Sequence, residues 1–137
     1  MYIIDDVYNK TVFEIPSEEA LNDLQFIRSK QESEIESIKS KIHKYEQKRR
    51  AEEAWYQSLS PLKRFFTGHA PSHHKAVEHM VNVKDRYKKI ETIKRKISLL
   101  KEAIGILEAE PEKRELHLPA GIIKEMIASR KEEGRSR

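Results

Sequence analysis

Four histidines crowd into one short stretch: His69, His73, His74 and His79. Imidazole nitrogens are zinc ligands, and two ligands four residues apart share one face of a helix. His69 and His73 have that spacing, but Pro71 falls between them and interrupts a helix. His74 and Glu78 do share a helical face, which makes them half of a site. No HExxH pattern accompanies them, and the chain has no cysteine. The plainer reading is that these histidines supplement a basic patch. No metal site and no cofactor are expected.

Catalytic patterns are also missing from the sequence. GxSxG, GxGxxG and GxxxxGK[ST] do not occur. Without cysteine there is no thiolate nucleophile, disulfide or iron–sulfur cluster. The carboxylates of Glu32, Glu34 and Glu36 lie along exposed helix faces, where solvated ion pairs account for them. Paired catalytic acids need a pocket that shifts their pKa, and narrow helical seams supply none. A non-enzymatic protein is expected.

The strongest candidate site is Lys63-Arg64-Phe65-Phe66, two cations beside two aromatics, with Trp55 and Tyr56 just before it. Between Glu53 and Glu78 there is no acidic residue. Arginine and aromatic side chains are the usual anchors of protein interfaces. Lys63, Arg64, Phe65, Phe66, His69, His73, His74 and Lys75 are therefore the candidate partner-binding residues. The expected partner is a larger protein. The alternative partner is a nucleic acid, since cations interleaved with aromatics suit phosphate contacts and base stacking. In that case Lys84, Arg86, Lys88 and Lys89 extend the footprint. A plainer reading competes for the aromatics. Trp55, Leu59, Leu62 and Phe66 follow a 4-3-4 spacing, and they would cap a hairpin end against Val77, Met80 and Val81.

Two long helices must position this patch. The second, about His73 to Glu108, carries Ile90, Ile93, Ile97, Leu100, Ile104 and Leu107 at a 3-4-3-4-3 spacing, the narrow stripe of a coiled coil. The first, from Ser17 to about Ser58, supplies Leu24, Ile27, Ile35, Ile38, Ile42 and Tyr45. Antiparallel alignment matches the stripes when position numbers sum to 132, with Tyr45 facing Tyr87 and the bend near Phe66. Gln31 is a polar residue inside the stripe, of the kind that sets register. The turn is placed at about 59–72.

A small α+β head is expected at the other end. Residues 2–15 read as a β-hairpin turning at Asn9-Lys10. Pro16 ends it, and Ser17 caps the helix with Glu18 and Glu19 in its first turn. Glu115–Leu118 alternates polar and apolar, as a third strand would. A last helix, Pro119 to about Lys131, carries Ile122, Ile123, Met126 and Ile127 on one face. That face would cover a second stripe, Leu99, Ala103 and Ile106. The predicted fold is thus mainly α: a long antiparallel coiled-coil hairpin spanning 17–108, with a head built from 1–16 and 109–131 and a frayed tail at 132–137. All 137 residues form a single domain.

Charge sharpens the picture. Residues 1–40 carry 4 basic and 9 acidic side chains, whereas 41–91 carry 12 and 6. The basic end should meet something anionic. No apolar run approaches the roughly 18 residues of a membrane span. Met1 to Ile15 lacks the basic start of a secretory signal. A cytoplasmic protein is expected. The apolar faces outside the seam would also serve a homodimer.

Overall fold

The computed structural model describes residues 1–63 and 77–135. The chain is mostly helical, with a small three-stranded sheet. Strand β1 is Tyr2–Asp5, β2 is Thr11–Glu14 and β3 is Glu115–Leu118. Helix α1 is Ser17–Ser58, α2 is Asp85–Ala109 and α3 is Ala120–Arg135. The long helices α1 and α2 pack together. Among the described residues, no helix is long and apolar enough to cross a membrane.

The strands form in the order β2-β1-β3. The first turn has a local cause. Asp5 Oδ1 accepts hydrogen bonds from the backbone N–H groups of Val7 at 2.8 Å and Tyr8 at 3.2 Å, an Asx-type turn. Asn9 then adopts φ 54°, a left-handed conformation that asparagine tolerates. β1 and β2 pair antiparallel through Ile3–Phe13 and Ile4–Thr11, which leaves Val12 as a bulge. A bulge on an edge strand discourages further strands from adding there. β3 joins the other side of β1 in parallel, Tyr2 beside Glu115 and Asp5 beside Leu118. Its alternation is the expected one, with Leu116 and Leu118 buried and Glu115 and His117 exposed.

The residues before α2 depart from a simple α-helix. Met80–Lys84 is a π-helical segment, and the Asp85 N–H reaches back to the Met80 carbonyl, five residues away. The spacing predicts one uninterrupted helix here. A single wide turn inserts one residue and carries no sequence mark of its own, so a periodicity count does not anticipate it.

The chain divides into two compact units. One comprises Met1–Glu32 with Arg95–Arg137, the other Ser33–Lys94. The first holds the main core. Ile3, Leu116 and Leu118 of the sheet, Leu24 of α1, Leu100 of α2 and Met126 of α3 belong to it, each 2% exposed or less. α3 is seated by Ile122 and Ile123, whose N–H groups reach the Pro119 carbonyl as the helix starts. In the second unit the seam residues Ile35, Ile38, Ile42, Val83, Ile90 and Ile93 are buried. Two expected stripe members behave otherwise. Tyr87 and Leu99 are both exposed. Of the second stripe only Ala103 is buried, because the core under α3 takes Leu100, Ala103, Ile104 and Leu107 but not Leu99.

Candidate interaction surface

The surface belongs to the second unit. α1 ends at Ser58, whose hydroxyl donates to the Trp55 carbonyl, and the Leu59 N–H donates to Tyr56. These bonds satisfy terminal carbonyls that an ending helix would otherwise leave unpaired. Ser60 and Pro61 then start a new turn: the Ser60 hydroxyl accepts from the Lys63 N–H at 3.4 Å. A serine cap followed by proline at the first helical position is a common start signal.

Apolar side chains are left in water around these turns. Trp55 is 56% exposed and Leu62 68%. Across the sequence gap, Val77, Met80 and Val81 are likewise exposed. Among the described residues the end-cap packing of Trp55 and Leu62 on Val77, Met80 and Val81 is therefore not made. Of the eight partner-binding candidates, Lys63 is exposed. Arg64, Phe65, Phe66, His69, His73, His74 and Lys75 lie outside the described residues.

The π segment shapes the neighbouring surface. A wide turn loosens the ordinary carbonyl ladder, and side chains take up the slack. Asn82 Nδ2 donates to the Glu78 carbonyl at 2.9 Å, and Arg86 Nη1 donates to the Asn82 carbonyl at 3.5 Å. Val83 is the one buried residue of the segment, so Met80 and Val81 are presented outward. Periodicity did not reveal Asn82 or this turn. The available signal was asparagine, a weak helix former, between two valines in an otherwise helical stretch.

A cavity of about 260 Å³ lies nearby, lined by Tyr45, Lys48, Arg49, Glu52, Glu78 and Asn82. Its charges are of both signs, so it favours neither an anion nor a cation. Arg49 Nη1 donates to His79 Nδ1 at 3.4 Å on its rim. Among the described residues, no group of three histidines or carboxylates could hold a metal ion.

The four candidate nucleic-acid contacts do not form one face. Lys84 and Lys88 are one turn apart and exposed. Lys89 is paired with Glu34 at 3.4 Å, and Arg86 is half-buried against the Asn82 carbonyl. Arg86 and Lys89 share a different side of the helix from Lys84 and Lys88.

The first unit holds a second polar constellation. Arg130 of α3 donates to Asp23 Oδ2 and to Glu19 Oε2, each at 3.0 Å. Lys96 of α2 is ion-paired with Glu125 of α3. Both lock helices together rather than open a reactive centre. No family model matches the chain, and neither does any curated protein or solved structure.

Proposed function

We propose that the chain is a non-enzymatic protein-interaction module. In this reading α1 and α2 form an antiparallel coiled-coil hairpin, and its basic, aromatic apex is presented to a larger protein. Two rim pairs support the antiparallel sense: Glu34 meets Lys89, while the later residue Arg49 meets the earlier residue His79. The observation that carries the proposal is the exposure of Trp55, Leu62, Val77, Met80 and Val81 beside a segment without acids. A surface that keeps large apolar groups in water, on segments that flank Arg64 and Lys75 in sequence, is suited to a partner that covers them.

The test is affinity capture with the wild type, an Arg64→Glu/Phe66→Ala variant and a remote Lys113→Glu control. Proteins retained by the wild type and the control should be lost with the double variant, at unchanged helicity. Retention by the double variant would overturn the proposal.

A second reading, nucleic-acid binding, has one observation in its favour: Lys84 and Lys88 are exposed and, among the described residues, have no acidic partner. It requires affinity to fall steeply with salt, at a log–log slope of roughly 0.9 per phosphate contacted. Filter binding at two salt concentrations separates the two readings.

A further inference from the structure

Gln31 is 7% exposed, and among the described residues its side chain has no hydrogen-bond partner. Buried amides without partners are uncommon and mark bound water, an ion or a ligand. The amide borders a cavity of about 100 Å³ between α1 and α3 of the first unit, lined also by Phe26, Ile27, Lys30, Glu125, Ala128, Ser129 and Glu132. Phe26 is 56% exposed, which leaves its ring open at this cleft. The space is smaller than the ~150 Å³ that holds benzene in an engineered core. It suits the head of one side chain.

We propose that this cleft binds the guanidinium of an arginine carried by a protein partner. Three of its lining residues carry acceptors: Gln31 an amide oxygen, Ser129 a hydroxyl and Glu132 a carboxylate. Guanidinium offers five donors in a planar fork and no acceptor, so it can serve all three. Its flat face stacks on an aromatic ring, the position that Phe26 offers. Glu125 is already engaged by Lys96, which leaves Glu132 as the available carboxylate. The field agrees in sign. The first unit carries 13 basic and 15 acidic residues, the second 14 and 8, so a cation is drawn to the first. Lys30 opposes it, and its exposed ammonium can swing into solvent. The inference is independent of the apex reading, since no residue is shared.

The test is an amide-resolved NMR titration of the intact protein with N-acetyl-arginine amide, using the uncharged citrulline analogue as the comparison. Saturable shifts at the Gln31 side-chain amide are expected with the arginine compound, in the millimolar range appropriate to so small a ligand. Loss of one charge-assisted bond in Glu132→Gln should weaken binding roughly tenfold. Phe26→Ala and Gln31→Leu should weaken it as well, and Lys30→Gln should tighten it. Both Phe26 and Glu132 are exposed, and leucine suits the stripe position of Gln31, so these variants should fold. Equal shifts with both compounds, or none with either, would overturn the assignment and leave Gln31 to bound water. Self-association abolished by Glu132→Gln would also overturn it, by making the arginine's source a second copy of this chain.

Discussion

Arg130 and Asp23 meet at 3.0 Å, although 107 residues separate them in the chain. The Asp23 side chain is only 11% exposed, so its charge is held largely out of water. The same guanidinium reaches the more exposed Glu19. One α3 side chain thereby ties down the first turns of α1.

Replacing Arg130 with glutamine should cost about 2 kcal/mol, because a largely buried carboxylate loses its charged donor. Double-mutant cycles should show stronger coupling to Asp23 than to the exposed Glu19, for which about 0.5 kcal/mol is expected. Urea titrations of the four variants in each cycle check this. Equal coupling at both sites would contradict the burial argument.

The pH dependence of this link follows from the arginine. Desolvation lowers the Arg130 pKa, but its hydrogen bond to Glu19 and the charge of Asp23 outweigh that, and the net direction is upward. A cation whose pKa is raised on folding adds stability below its unfolded pKa, and that stability is lost as pH rises through the folded value. For arginine both values lie above the ordinary working range. The stability gap between wild type and Arg130→Gln should therefore stay constant from about pH 7 to pH 10. Paired thermal melts across that window would reveal any narrowing.

Leu99 and Leu100 are neighbours with opposite fates, at 45% and 0% exposure. Leu100→Ala removes buried methyl groups from the core shared by the sheet and three helices, and about 3 kcal/mol should be lost. Leu99→Ala should change stability by about 0.5 kcal/mol or less. Denaturant midpoints of the two variants compare them directly. A large loss at Leu99 would mean that another surface covers it in solution.

Trp55 is the chain's single tryptophan, so its fluorescence reports the C-terminal end of α1 alone. At 56% exposure it should be quenched by acrylamide nearly as readily as in the unfolded chain. Binding of the partner should shift its emission to shorter wavelength and protect it. Strong protection in the isolated protein would instead make Trp55 a core residue.

Much of the helical architecture is legible in spacing. Ile90, Ile93, Ile97, Leu100, Ile104 and Leu107 are all buried, as a 3-4 stripe requires, and so are Leu24, Ile27, Ile35, Ile38 and Ile42. Turn chemistry at Asn9-Lys10 and alternation at Glu115–Leu118 point to the strands, whereas the Asp5 turn emerged only in the structure. The candidate site is less legible. Tyr87 obeys the period yet lies exposed, and the π turn at Met80–Lys84 leaves almost no trace in the pattern.

Local order therefore determined which face of each helix is apolar and where the chain turns at its start. Tertiary structure decided what arrives on those faces: β3 beside β1, Arg130 on Asp23, and α3 over Ala103 but not Leu99. It also decided that Gln31, whose position suggests register, has no partner among the described residues and borders a cleft. A side chain's period is a property of its own helix, whereas its neighbours come from segments up to a hundred or so residues away, whose approach no local spacing encodes.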